Sequence, residues 1–586
     1  MRPDGEHSRR KRQAFLRLCY AFAMSPDRPS HGRGPLPPLL RAFASALALF
    51  ALLAGCATTD APASPYEALV ADLKAGAPRW AELDPTFLAS PDSSERLSGR
   101  ASARSRSPRN GPDSEENRLR RAEDRLKVYY GDLDAHAQAF RAALSLDKTD
   151  SAAEHQRALD ALDHRIDHSG DGSDAQPYQV LTAQDAFDWL RHRKIPMVGA
   201  LYEGNDDTGA LQLLVRIQRD QNGALENWRF DLTPTFAAGA QWAQAMGAES
   251  TPSAYLATRA QQGDPAAQTA HALRLWREGA GLAPETVGWL QSASDAGNLI
   301  ARELLATVYL ALASRRDGEE QGRFLEAAVD QLLLALAQGS AEAMVNLAKL
   351  HLSGHFGDEN RSAGVALLKQ AAQRKSLDAE VLLARLEYNG QLVPKAPARA
   401  LARLHAAADA GHHEAQLFSA REQLSTQDSL DEAGQRWLEG AANGGLPDAM
   451  LLLGSLLAEG QHYPRDDAAA KRWLSGAGLT ARDAETVNTV AWILAVAERP
   501  SLREPALALR LMDAMMTRDE AAARNPAYLD TWAAAAAATG AFDRAVALQE
   551  QALAAAEALD NPPFLPVLRA HLERFRAGEA VFEAVP

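Results

Sequence analysis

The chain has 586 residues, 46% of them apolar, which is long enough for three or four domains and apolar enough to bury a core; disorder throughout is excluded. Its 62 basic and 76 acidic residues leave a net charge of −14, which argues against non-specific nucleic-acid binding, since that needs a cationic face. Two cysteines exclude a disulfide-stapled scaffold and a multi-cysteine metal site, and 6% aromatic content beside abundant alanine points to closely packed helices.

The first element is an apolar run from Ala42 to Ala54, about 13 residues, behind the cationic Arg28, Arg33 and Arg41. It is too short for a bilayer span of about 20 residues but suits a signal-peptide core. The adjoining Leu53-Ala54-Gly55-Cys56 resembles the lipobox of bacterial lipoproteins. That resemblance implies that residues 1–55 are removed, from a start at Met1 or Met24, and that Cys56 is lipidated, with palmitate among its acyl chains. Ala57, where an aspartate would signal inner-membrane retention, implies an address at the periplasmic face of the outer membrane. The leader takes nine basic and three acidic residues with it, so the mature chain carries 53 basic and 73 acidic residues and a net charge of −20. Cys19 leaves with the leader and Cys56 is acylated, so no free thiol enters an oxidising compartment.

Residues 56–65 read as a tether and 66–89 as a short helical segment, with Tyr66 to Lys74 amphipathic. From 90 to 116 the chain is Ser, Arg, Pro, Gly and Asp, too polar to offset its ordering entropy, and a disordered linker is expected. Its arginines (Arg96, Arg100, Arg104, Arg106, Arg109) either keep a spacer solvated or touch anionic lipid or peptidoglycan. A small α+β module over 117–240 follows. Tyr129-Tyr130-Gly131-Asp132 with Ala142-Ala143-Leu144 looks like half of a tetratricopeptide unit. A helix over Ala183 to His192 then precedes about three antiparallel strands, Ile195 to Tyr202, Leu211 to Ile217 and Trp228 to Leu232, with a hairpin turn at Asn222-Gly223.

Within the module, Asp167, Ser169, Asp171 and Gly172 fall at positions 1, 3, 5 and 6 of a calcium-loop pattern. Tyr178 stands at the twelfth position, where a bidentate carboxylate is needed, so a plain turn is expected. His164 and His168 lie four apart, but spacing places no third ligand. His405, His412 and His413 gather near one turn and read as solvated loop residues. No nucleophile elbow, zinc-protease helix, phosphate loop or dinucleotide fingerprint is present in the sequence. No catalytic, cofactor-binding or metal residue is assigned; the expectation is a non-enzyme without a cofactor.

Over 251–484 the pattern Ala-x-x-x-Gly-x-x-x-Ala recurs. Its markers are Gly263, Gly297, Gly339, Gly411 and Gly445, with Lys375 in a glycine's place, at spacings of 34, 42, 36, 36 and 34 residues. Four residues after the markers stand Ala267, Ala301, Ala343, Ala379, Ala415 and Ala449. A period near 36 means a two-helix unit whose neighbours share a core. Glycine ends one helix in a left-handed cap, and facing alanines let the helices approach closely. A second glycine (Gly354, Gly390, Gly460) closes the other helix. Departures are Lys375, Ser419 in place of a leucine, and about six extra residues around Ser314 to Gly322.

These residues, with Leu438 to Ala449 as the fullest example, resemble the Sel1-like subclass of tetratricopeptide repeats. Residues 485–576 carry Gly540 with Ala545 and Ala552 behind it and resemble ordinary tetratricopeptide repeats ending in a capping helix; 577–586 is a tail. The expected fold is mainly α, an α-solenoid or superhelix preceded by the small α+β module. The resemblance implies a membrane-anchored scaffold that binds an envelope protein or peptide and no nucleic acid, with packing positions at Gly297, Ala301, Gly339, Ala343, Gly411, Ala415, Gly445, Ala449, Gly540 and Ala545. The rival expectation is a ligand-binding or enzymatic module over 117–236 that the repeats only dock.

Overall fold

The computed structural model describes residues 64–104, 114–219, 223–245, 250–280, 282–558 and 564–584. Cys56, the leader and the tether lie outside the described residues, as do Arg106 and Arg109. The chain divides into two compact units, 1–346 and 347–586.

The first unit opens with α1 (Pro65–Lys74), whose N-terminus is closed reciprocally by Ser64 and Glu67, then α2 (Leu83–Leu88). Next comes α3 (Ser93–Arg104), a correction to this part of the expected linker over 90–116, of which 105–113 lie outside the described residues. Composition argued that this stretch could not bury enough apolar surface. Its order comes instead from a buried charge: Arg100, 4% exposed, donates from Nη1 to Asp185 at 3.0 Å and from Nε to Asp132 at 3.3 Å, and its guanidinium lies 4.7 Å from the Tyr129 ring. Asp132 also accepts from Arg125 Nη2 at 2.9 Å. Burial opposes the Arg100 charge, and Asp185 and Asp132 more than offset it, holding its pKa above the usual value. An arginine expected in a solvated spacer is thus an internal ion-pair centre.

Three antiparallel helices follow: α4 (Glu115–Val128), α5 (Leu133–Ser145) and α6 (Thr149–Asp167). Asp132 caps α5 by accepting from the Ala135 N–H, while Gly131 lies so close to the Tyr129 ring that a Cβ there would overlap it. The sheet comprises β1 (Tyr178–Gln179), β2 (Met197–Asn205), β3 (Ala210–Ile217) and β4 (Glu226–Asp231), in the order β1-β4-β3-β2, with α7 (Ala183–His192) after β1. The expected three strands are corrected to four: β1 runs parallel to β4 and is only two residues long, too short to show alternation. Tyr178, Trp189, Trp228 and Phe230 pack ring against ring between sheet and α7. Then come α8 (Thr233–Ala245) and the first repeat helices: α9 (Pro252–Gln261), α10 (Pro265–Leu275), α11 (Pro284–Asp295), α12 (Leu299–Ala313) and α13 (Gly318–Ala337). The extra residues near Ser314 to Gly322 lie in the turn after α12 and the start of α13, a 20-residue helix.

α14 (Ala341–Leu352) spans the division between the units. The second unit continues with α15 (Arg361–Gln373), α16 (Leu377–Asn389), α17 (Pro397–Asp409), α18 (His413–Gln427), α19 (Glu432–Asn443), α20 (Pro447–Glu459) and α21 (Asp467–Thr480). The last helices are α22 (Ala484–Val496), α23 (Pro505–Arg518), α24 (Pro526–Ala538), α25 (Phe542–Glu557) and α26 (Leu565–Arg576). Their core mixes small residues, with Ala533 to Ala537 all buried in α24, and large ones such as Leu494, Met512 and Phe575. Among the described residues no helix is long and apolar enough to cross a membrane.

Candidate functional site

Each repeat is organised by its marker. Gly297, Gly339, Gly411, Gly445 and Gly540 have φ between 84° and 90°, the left-handed region. At each the marker N–H bonds the carbonyl three residues back and the next N–H reaches five back, as in Gly411 to Ala408 (3.0 Å) and His412 to Ala407 (2.9 Å). Ala301, Ala343, Ala415, Ala449 and Ala545 are fully buried. Lys375 adopts the same cap with φ 63° and the same two bonds, to Ala372 at 2.9 Å and from Ser376 to Ala371 at 3.1 Å. The repeat geometry thus overrides the residue type, at a backbone cost of about 1–2 kcal/mol for a side chain in this region. Replacing Lys375 by Gly is expected to raise stability by about 0.5–1 kcal/mol after glycine's own chain-entropy cost. Gly411→Ala, whose added Cβ would meet only open space, is expected to lower it by about 1–2 kcal/mol. Urea midpoints at unchanged slope measure both, and equal effects of the two would contradict the cap argument.

One face of the repeats carries charge in register. Ten residues after successive markers stand Lys349, Arg385 and Arg421, and three after the next markers stand Asp378, Glu414 and Asp448. Arg385 pairs with Glu414 at 3.0 Å and Arg421 with Asp448 at 3.3 Å, each about half exposed. Asp378 feels Lys349 and accepts from His412 Nε2 at 3.0 Å; that bond is the main reason its carboxyl pKa lies below the usual range. Exposed pairs of this kind contribute little to stability. They align neighbouring units, and the same offsets in the self-alignment could have revealed them.

Of the histidines grouped by sequence, His413 is exposed at the start of α18, but His405 and His412 are not solvated loop residues. His412 caps α18, its Nδ1 accepting from the Ala415 N–H at 3.2 Å, and the His405 ring lies 5.0 Å from Trp437 with its Nε2 buried. Ser419, in a leucine's place, is fully buried with no partner for its hydroxyl, and Asp428 fills a left-handed cap with φ 49°.

Within the first unit the repeats hold an extended segment of the module. The edge strand β2 packs on α9, α10 and α12. The Asn298 side chain, at the N-cap of α12, grips the Ala200 backbone twice: Nδ2 donates to the carbonyl at 2.7 Å, and Oδ1 accepts from the N–H at 3.2 Å. Gly199 is required there, because a Cβ would stand 2.8 Å from Asn298 Oδ1. Arg216 of β3 pairs with Glu303 of α12, which also accepts from the Ser340 hydroxyl at 2.6 Å. An unpaired sheet edge is thereby covered.

A wide cleft of about 880 Å³ opens in the module between α1, α2 and α6. Trp80 stacks on Tyr130 at 5.8 Å and Lys74 sits 5.3 Å from the Tyr130 ring. Asp84 accepts from Arg165 at 2.5 Å and from the Tyr129 hydroxyl, and burial raises the Tyr129 pKa. His164 and His168 line it, their rings 3.8 Å apart. Of the calcium-loop residues, Ser169 reaches the cleft, but its hydroxyl is bound between Ile166 O and Gln179 N; Asp167 pairs with Arg193, and Asp171 accepts from Ser173 N. The structure does not bring these four to a common centre.

Residues 341–376, 377–412 and 447–477 match the Sel1 repeat family model. These three segments are Sel1 repeats. Residues 413–446, which hold Ser419 and Asp428, fall between the matched Sel1 repeats. No curated protein matches the sequence. Among solved structures, a Sel1 repeat protein from Oxalobacter formigenes is similar at 18% identity over 42% of this chain and 98% of its own, with a TM-score of 0.33. c5321, a protective antigen of uropathogenic Escherichia coli with an SLR fold, is similar at 16% identity over 79% of this chain and 83% of its own, also at 0.33. Yeast Tom70 is similar at 10% identity over 87% of this chain and 93% of its own, at 0.25.

Proposed function

We propose that the protein is a scaffold, anchored through acylated Cys56 at the periplasmic face of the outer membrane, whose Sel1 and tetratricopeptide-like repeats hold an envelope protein or peptide. The observation that carries the scaffold reading is the grip of Asn298 on Ala200: the repeat surface already binds an extended backbone, inside its own chain. The lipobox-like residues support the anchor. In fractionated cells, Cys56→Ala is expected to move the protein from membrane to soluble fractions; retention in the membrane would overturn the anchor. In-cell crosslinking with mass spectrometry is expected to recover a protein partner on the repeat residues, and its failure would count against the scaffold.

The cleft supports a second reading, a ligand-binding module docked by the repeats. Its stacked Trp80 and Tyr130 beside Lys74 suit a planar anionic ligand. A thermal shift with such a compound that Trp80→Ala abolishes would favour it.

A further inference from the structure

The second unit contains another extended segment held by helices. α26 ends at Arg576, Gly578 with its φ of 74° turns the chain back, and residues 580–583 then run alongside the break between α22 and α23. Glu498 N–H donates to the Glu583 carbonyl and Glu583 N–H donates to the Val496 carbonyl, both at 2.8 Å, a parallel strand pairing at Ala497. Arg574 donates to the Ala580 carbonyl at 2.9 Å. Val581 is buried among Val496, Leu494 and Phe575, while Phe582 remains 44% exposed under the Arg503 guanidinium, 4.2 Å from its ring. His571, bound to Asp530 at 2.9 Å, faces Glu583 at 3.9 Å.

We propose that 496–498 is a strand-addition slot for an extended partner peptide, and that the chain's own segment 579–584 occupies it in exchangeable fashion. The Val496 carbonyl and the Glu498 N–H at the break between two helices form a pairing edge, and the tail satisfies both. The tail is held over four residues by one buried apolar side chain, one cation over an exposed ring, two strand bonds, the Arg574 bond to the Ala580 carbonyl and the His571–Glu583 contact. Such a contact opens locally without unfolding the helices around it. The slot reads a small residue against Arg574, an apolar residue in the core pocket, an aromatic under Arg503 and a carboxylate toward His571. The partner chemistry is therefore a short extended segment of the form small, aliphatic, aromatic, acidic. This deepens the scaffold reading and rests on it, by naming the recognition mode at one end of the array.

The test uses the full chain and a fluorescent peptide copying residues 578–584, followed by anisotropy. Val581→Asp, which expels the tail, is expected to bind the peptide at least tenfold more tightly than the unaltered chain. Glu583→Pro, which removes one strand bond, should do the same and carries the test if Val581→Asp disturbs the helical circular dichroism. Adding Arg503→Ala should weaken the peptide severalfold in either background. Absence of binding to both folded variants, or equal binding by the unaltered chain, overturns the slot and leaves the crosslinking test of the scaffold untouched. Tail-dependent dimerisation of the unaltered chain in sedimentation would assign the slot to a second copy and overturn the partner assignment.

Discussion

Acidification from pH 7 to pH 4 is expected to cost the first unit about 3 kcal/mol through His136 alone. His136 on α5 and His155 on α6 face each other in the interior, Nδ1 to Nδ1 at 3.0 Å, and His136 Nε2 donates to the Tyr130 carbonyl at 2.7 Å. That carbonyl fixes the His136 proton on Nε2, so its Nδ1 accepts from His155; a proton added to the His136 ring destroys the bond. Burial pushes the His136 pKa down to about 3, against the partial opposition of the Tyr130 carbonyl and Asp132, and burial likewise lowers that of His155. Glu154 and Glu123 raise the His155 pKa slightly, and Lys74 lowers both. With a folded pKa below the unfolded value near 6.5, the unfolded chain binds the extra proton first. The stability is therefore complete above pH 6.5 and is lost progressively as pH falls toward 3. Urea unfolding of the first unit at pH 7 and pH 4 measures it. In His136→Leu the difference between the two pH values should shrink by about 3 kcal/mol, and an unchanged difference would contradict the assignment.

Arg100→Met is expected to destabilise the same unit by about 3–5 kcal/mol, although composition placed this residue in a solvated spacer. The cost arises because the buried Asp185 and Asp132 lose a buried cation, not because the ion pair is intrinsically strong. Arg96, four residues earlier, pairs with half-exposed Asp92 and lies 5.6 Å from the Tyr66 ring. Arg96→Ala should cost less than about 1 kcal/mol. Similar small effects for both variants, read by the urea midpoint, would restore the spacer reading of 93–104.

Much of the repeat array was legible without coordinates, because its unit is defined by local rules. A glycine in a left-handed cap and an alanine four residues later are short-range requirements, and their recurrence makes them visible. Lys375 shows the limit of reading by residue type: its backbone follows the cap that the surrounding unit imposes. The charged ladder through Arg385 and Arg421 was equally available but becomes meaningful only when two units are stacked.

What lay beyond reach depends on partners distant in the chain. Arg100 meets Asp185 across 85 positions and Asn298 meets Ala200 across 98, and nothing near Arg100 or Ala200 announces either contact. The parallel pairing of β1 with β4 and the seating of Val581 beside Val496 are of the same kind. Taken alone, the amino-acid order determined a helical repeat chain of period near 36, its caps and its small-residue packing, since each follows from backbone conformation and close approach within one or two turns. Only the tertiary structure decided which charges are buried, which edge is covered and which segment the last helices hold. Those depend on desolvation and backbone pairing between segments that are neighbours in space alone.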